Sequence, residues 1–358
     1  MRNVTLGLII GAALLVSGSL SLKATENKMK LWYDKPADEW MKSLPLGNGR
    51  LGVMIYGGIE TETLALNEST MWSGEYDEHQ QRPFGREKLN QVRKLFFENN
   101  LSEGNHVAGN MMAGSPHSVG THLPIGDLKI NFSYPQGEIS DYRHELDLHT
   151  AINTVSYKVG NTEYIRQCIA SNPDDVVAMH IKASRPKAIT IELELKLLRQ
   201  ANVVASGNQL IYTGNAEFEK HGKGGVHFEG RIAVQIKGGT IKAEGKKLYI
   251  EKATEVTLLS DVRTNFKNNT FSGYNYKIKC EKTIELASKK DFKTLKKKHI
   301  EDYSPLFSRV GLSFEHHAKF DHLPNDERWA RVKKGESDPG LDALFFQYAR
   351  YLLIASSR

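Results

Sequence analysis

Between Leu128 and Asp261 the chain repeats one pattern and interrupts it with nothing helical. In Leu128–Tyr134 apolar and polar residues alternate, so that Leu128, Ile130, Phe132 and Tyr134 share one face. Comparable runs follow at Tyr142–Leu148, Asn153–Val159, Glu163–Ala170, Val176–Ala183 and Ala188–Leu198. Others are Gln209–Gly214, Val226–Lys237, Lys247–Ile250 and Glu255–Asp261. Turn signals punctuate them at Gly160-Asn161, Asn172-Pro173, Arg185-Pro186, Gly207-Asn208 and Gly238-Gly239. A period of two puts alternate side chains on one face of a strand. Many short strands with no helices between them predict an antiparallel sandwich, because parallel strands need long crossovers that are usually helical.

The flanks have a different period. In Arg86–Asn100, Leu89, Val92 and Phe96 fall at helical spacing, which predicts an amphipathic helix covering an open sheet face. Ser102–His122 is rich in Gly, His and Met with little periodicity and reads as a long loop holding His106, Met111, Met112, His117 and His122. After Ser288 the helical period returns in Phe292, Leu295, His299, Tyr303, Leu306 and Val310, with His299 expected as a packed, hydrogen-bonded histidine. A last helix is capped by Ser337 or Asp338, has Pro339 in its first turn, and carries a stripe of Leu341, Leu344, Phe345, Tyr348, Leu352 and Ala355. No stop signal precedes Arg358, so this helix is expected to open a further helical domain that the chain does not complete.

Composition narrows the function classes. With 40% hydrophobic and 25% charged residues the chain is globular in character rather than disordered. The formal charge of +6 comes largely from lysines between Lys277 and Lys298, which have no interleaved stacking aromatics and read as solvated surface, not as a nucleic-acid site. The two cysteines, Cys168 and Cys280, make no disulfide framework and no metal motif, and whether they pair is left open. Arg2, the apolar run Leu6–Val16 and the small residues up to Ala24 have the form of a signal peptide, so the mature chain is expected to start near Thr25 and to be exported, periplasmic or secreted. The apolar run is short of the about 20 residues of a membrane span.

The chemistry gathers in Leu44–Gly74. Gly47, Gly49 and Gly52 spell a G-x-G-x-x-G, but a dinucleotide fingerprint has a strand before it and a helix after it. Here a Pro-containing loop comes first and a β-type run, Val53-Met54-Ile55-Tyr56, comes after. The segment reads as loop, strand, turn, strand, loop, with Asn48, Arg50, Asn67, Glu68 and Trp72 at the strand ends. These residues, with His122 from the histidine-bearing loop, are the candidates for a sugar-binding edge. The competing reading has Asn67 and Glu68 bracing a turn, Trp72 packing the core, and Arg50 pairing with Glu68. Glu68, Asp127, Glu39 and Asp34 are the candidate carboxylates, with Asp127 favoured as a turn brace. The histidines around His106–His122 and His316-His317…His322 match no metal-ligand spacing, and no metal or cofactor is expected.

Leu44-Pro45-Leu46-Gly47-Asn48-Gly49-Arg50-Leu51-Gly52 and Leu66-Asn67-Glu68-Ser69-Thr70-Met71-Trp72-Ser73-Gly74 together resemble the N-terminal domain of glycoside hydrolase family 95, the inverting α-L-fucosidases. The resemblance continues at Leu123–Leu128, Asp302–Val310 and Arg350–Arg358, with Ala349 standing where the family pattern suggests glycine. It implies a mainly β chain: a large antiparallel β-supersandwich with a covering helix, then a helical linker and the first helix of an incomplete (α/α)6 barrel. The implied division is leader 1–24, sandwich 25–288, linker 289–336 and barrel start 337–358. The resemblance also implies a fucosylated-glycan substrate, with the rest of the catalytic barrel in the same polypeptide as partner; composition and the short apolar run lead to no nucleic-acid partner and no membrane association after signal removal. The family's catalytic residues lie in the barrel, beyond the last matching block, so none is carried onto this chain. A free-standing carbohydrate-binding sandwich and a related (α/α)6 hydrolase or phosphorylase are the alternatives.

Overall fold

The alternating runs become strands of two sheets in the computed structural model, which describes residues 29–74, 85–112, 120–221, 224–266, 275–315 and 318–358. The expected leader and His117, His316 and His317 lie outside the described residues. One sheet has nine strands in the order β1 (Lys30–Tyr33), β6 (Ile139–Asp147), β7 (Ile152–Val159), β8 (Thr162–Ser171), β9 (Val176–Ala183), β16 (Glu255–Thr264), β13 (His227–Lys237), β12 (Gln209–Asn215), β11 (Ala201–Ser206). The other has seven: β14 (Thr240–Glu244), β15 (Lys247–Ala253), β10 (Ile189–Leu197), β5 (Gly126–Phe132), β4 (Thr61–Glu68), β3 (Leu51–Ile55), β2 (Leu44–Gly47). Neighbouring strands are antiparallel, as in the pairing of Leu193 on β10 with Ile130 on β5. Leu128, Ile130 and Leu193 from one sheet and Leu146, Ile181 and Val256 from the other belong to a single buried core. The sheets are also joined by charge: Glu62 on β4 lies 3.3 Å from Arg166 on β8, both enclosed, with the guanidinium against the rings of Phe132 and Tyr157.

Two further strands, β11 and β14, were not legible as alternating runs. Both lie at sheet ends and expose most of their side chains, and an edge strand has little need of an apolar face. Leu44–Gly47, expected as loop, is the edge strand β2, a position where Pro45 is tolerated because one backbone side faces away from the sheet.

The outer face of the nine-stranded sheet is covered by α3 (Tyr276–Ser288) and α4 (Phe292–Phe307). Ile284, Ala287, Phe292 and Leu295 pack there on Ile152, Ile169, Val176, Ala178, Ala233 and Leu259 in a second core. This cover explains why β16 is buried along nearly its whole length. The lysines expected as solvated surface lie on the outer faces of these two helices, exposed or partly exposed, while the opposite faces are buried. α3 escaped the period because its buried stripe, Cys280, Thr283, Ile284 and Ala287, is small or polar in three of its four positions. The expected boundary at 288/289 falls between these two helices, which share the second core.

The helix expected after Arg86 is present as α1 (Arg86–Phe97), but its main packing partner is another helix, α2 (Leu101–Met112), in the stretch read as loop. Asn99 turns the chain with a φ of 60°, and Gly104 on α2 brings the backbone against the ring of Phe96. Only Val92 of α1 is buried, so the covering role belongs to α3 and α4. Two helices complete the described chain, α5 (Asn325–Lys333) and α6 (Pro339–Ser356). Asp338 caps α6 by accepting the Leu341 amide at 2.9 Å and holds Arg328 of α5 through two hydrogen bonds of 2.8 and 2.7 Å. Among the described residues no helix is long and apolar enough to cross a membrane.

Candidate functional site

The glycines of Leu44–Gly52 have a steric cause. β2 and β3 form a hairpin in which Gly47 pairs with Gly52, and its turn lies against the C-terminal end of α6. The Gly49 amide donates to the Ala355 carbonyl at 2.7 Å, and the Tyr351 hydroxyl donates to the Pro45 carbonyl at 2.7 Å. A Cβ on Gly47 would stand 2.6 Å from the Ala355 oxygen; one on Gly49, whose φ is +88°, would stand 2.6 Å from the Arg358 nitrogen. The motif is thus a seat for a helix end, with no phosphate loop geometry. Arg358 is held in turn by an ion pair of 2.5 Å to Asp302 on α4.

Beside this seat is a cleft of about 380 Å³ lined by residues of β2, β3 and the end of α6, together with Arg50, Asn67, Ser69 and His122. Of the six residues expected at a sugar-binding edge, three therefore line one cleft. His122 donates through Nε2–H to the Glu68 carbonyl at 3.0 Å, since a carbonyl oxygen only accepts, and its backbone forms a β-bridge with Trp72. Trp72, 48% exposed, stands edge-on to the His122 ring with centroids 5.8 Å apart, and its indole N–H donates to the Ser69 carbonyl at 3.2 Å. The expected alternative of Trp72 as a core residue does not hold. Asn67 Oδ1 is enclosed and has no hydrogen-bond partner among the described residues.

Asn48 and Glu68 are buried beside the cleft rather than lining it, and Arg50, which lines it, has its guanidinium tied to buried partners. Asn48 is buried: its Oδ1 accepts from the amides of Arg50 and Leu51, and its Nδ2 donates to the Ser171 carbonyl, so it shapes the hairpin turn and ties it to β8. Glu68 is 2% exposed, accepts from the Thr70 amide and hydroxyl at 2.7 Å each, and lies 3.6 Å from Arg50. Burial raises its carboxyl above the usual range, against the Thr70 hydrogen bond and the Arg50 charge. Arg50 is committed elsewhere: it donates to Asp175 at 3.0 and 2.8 Å, to Asp261 at 2.6 Å and to the Val262 carbonyl at 2.5 Å. Arg263 joins through Asp261 at 2.8 Å and Asp175 at 2.6 Å. Asp175, Asp261 and Arg263 were not singled out in the sequence, and their distance along the chain leaves no local signal. The same holds for α6 as a wall of the cleft.

The remaining carboxylates do not converge on this cleft. Asp127 pairs with Lys129 at 3.0 Å, Glu39 with Lys42 at 3.3 Å, and Asp34 is exposed. Among the described residues no Asp or Glu lines the cleft, whereas glycoside hydrolysis usually uses a pair of carboxyl groups. His299 packs against Tyr303 and bonds through Nε2 to the Thr150 carbonyl at 3.0 Å, while His106 is on the exposed face of α2 beside Asn110. Among the described residues no group of three or more His, Cys, Asp or Glu is placed to hold a metal ion, and Cys168 and Cys280 are both free and buried.

Residues 31–269 match the family model described as glycosyl hydrolase family 65, N-terminal domain. Residues 291–358 match the glycosyl hydrolase family 95 catalytic domain. The chain is 33% identical to "Alpha-L-fucosidase 2" of Arabidopsis thaliana, over 92% of its own length and 42% of the relative's. It is 28% identical to "Probable alpha-fucosidase A" of Aspergillus niger, over 92% and 43%, and 27% identical to the protein of the same name from Aspergillus oryzae, over 96% and 49%. The chain thus spans less than half the length of the curated relatives it matches.

Proposed function

Because the chain belongs to the glycosyl hydrolases, with a family 65 N-terminal domain followed by part of a family 95 catalytic domain, we propose that it is the N-terminal portion of an exported α-L-fucosidase acting on fucosylated glycans. In this reading the sandwich seats the first helices of the catalytic domain and lends a sugar-contacting rim, while bond cleavage is carried out by residues of the catalytic domain outside those described. The observation that carries it is the composition of the α6 cleft. Asn67 and His122 line it, the half-exposed indole of Trp72 stands edge-on to His122 next to it, and polar side chains beside an aromatic ring suit a neutral sugar; among the described residues no carboxylate lines it. The outward face of α6, where Phe345 and Leu353 are exposed, is then the surface against which the rest of the catalytic domain packs.

Calorimetric titration of the chain with 2′-fucosyllactose and with lactose tests this. Fucosyllactose is expected to bind with the higher affinity, and Trp72→Ala to remove about tenfold of that difference, the equivalent of roughly 1.4 kcal/mol of aromatic contact. Equal affinity for both sugars, or a fucose-dependent difference untouched in Trp72→Ala, would count against the proposal.

A further inference from the structure

A further groove, separate from the α6 cleft and from the core, lies beside the chain's first strand. It has a volume of about 850 Å³ and runs between β1, the segment leading into β2, and α5. Tyr33 and Met41 contribute apolar surface, and Trp329 of α5 contributes an indole that is 54% exposed. The buried imidazole of His144 lies at its base.

Its polar groups are of a particular kind. Three ammonium groups (Lys35, Lys42, Lys333) and three carboxylates (Asp38, Glu39, Asp326) line it, so its formal charges cancel. Most are already matched: Lys35 pairs with Asp326 at 2.6 Å, and Lys42 with Asp38 and Glu39 at 2.8 and 3.3 Å. His144 adds no charge near neutral pH, since burial and the neighbouring Arg166 push its pKa down to about 3. A charged ligand would therefore find no excess of counter-charge. Asn325, buried at the N-terminus of α5, uses Oδ1 to accept the Trp32 amide at 2.8 Å, but its Nδ2 has no hydrogen-bond partner among the described residues. Asp326 Oδ1, next to it in the chain, is likewise unpartnered. Both residues line the groove, and an orphan donor and an orphan acceptor on consecutive residues match hydroxyls, which donate and accept. Hydroxyls in series on a ring with an apolar face also suit Tyr33 and Trp329, and the volume lies within the roughly 300–1,000 Å³ of small-molecule sites. A peptide adding a strand to the edge of β1 fits less well, because Asn325 already occupies the Trp32 amide there.

We propose that this β1–α5 groove is a second saccharide-binding site, taking a neutral oligosaccharide by stacking on Trp329 and by hydroxyl contacts to Asn325 and Asp326. It does not depend on the fucose reading of the α6 cleft, and its probes carry no fucose.

The test titrates the full chain with cellotetraose, maltotetraose and lacto-N-tetraose, following tryptophan fluorescence and calorimetric heat. Four versions are compared: the native chain, Trp329→Ala, Asn325→Asp and Trp72→Ala. Asn325→Asp keeps an oxygen that accepts the Trp32 amide and removes the donor while adding a buried charge, so thermal unfolding is measured alongside to separate lost binding from lost folding, and Trp329→Ala, at an exposed position, tests the groove independently. Saturable binding of at least one probe is expected, weakened about tenfold or more in Trp329→Ala and Asn325→Asp and unchanged in Trp72→Ala. No binding of any probe, or binding lost in Trp72→Ala but kept in Trp329→Ala, would overturn the proposal; the second result would leave the α6 cleft as the sugar site.

Discussion

At the residue scale, Arg50 illustrates how a functional-looking side chain acquires its role from the fold. In the sequence it could clamp a sugar hydroxyl or pair with Glu68, and spacing does not choose between them. In the structure its guanidinium is spent on Asp175 and Asp261, with Glu68 a more distant 3.6 Å away. Those partners lie 125 and 211 residues along the chain, on segments brought together only by sheet packing. Asp261 is fully buried, so removing Arg50 leaves that carboxylate with Arg263 alone. Loss of one partner from a buried ion pair costs about 3–5 kcal/mol, far more than loss of an exposed one. Arg50→Met is expected to destabilise the chain by that order in urea unfolding followed by circular dichroism. A change within about 1 kcal/mol would mean that the network is not coupled to folding. Asn48, Asn67, Trp72 and His122 were visible as a group because they flank strands, but which face the cleft and which brace it depends on the hairpin's long-range neighbours. Asn48 is the brace, and Asn67 and His122 line the cleft.

At the scale of elements, the hairpin of β2 and β3 and the helix α6 have to be read together. The sequence showed glycines at a turn and a capped helix with an apolar stripe, and both are present. What it could not show is that each explains the other. The buried positions of α6 are Gly340, Ala343, Leu344, Gln347, Tyr351 and Ala355, whereas Phe345 of the expected stripe is exposed and Leu352 lines the cleft. The stripe is shifted because the helix packs its Tyr351 and Ala355 side onto the hairpin. Gly49→Ala would place a methyl group within 2.6 Å of the Arg358 backbone and force a non-glycine residue to a positive φ, which costs roughly 1–2 kcal/mol by itself. Hydrogen exchange of the amides in 350–358 is therefore expected to accelerate in Gly49→Ala while strands such as β8 and β9 keep their protection. Unchanged exchange at the end of α6 would show that the hairpin is not its seat. The elements missed in the sequence share a physical cause. β11 and β14 are exposed edges, α3 buries small and polar residues, and α2 contains two glycines, so none presents the strong apolar period on which recognition depends.

At the scale of the whole molecule, the long-range organisation was the most legible part. Ten alternating runs without helices between them imply sheets on sheets, and the strands form two antiparallel sheets around one core. Strand order was not legible, because β16 crosses to lie between β9 and β13, and β10 leaves its sequence neighbour for the opposite sheet. The helices after Ser288 then run from the outer sheet face, across the base of α6, to the hairpin seat, so the part matching the catalytic family is built directly onto the sandwich. The α6 cleft is lined by Asn67 and His122, with Trp72 edge-on to His122, and among the described residues by no carboxylate, while Glu68 is buried beside it. The most direct measurement is the release of 4-nitrophenol from 4-nitrophenyl α-L-fucoside by the purified chain. Release is expected to remain at the spontaneous rate; turnover in the ordinary enzymic range of about 1–10³ s⁻¹ would contradict the assignment of this cleft to binding rather than hydrolysis.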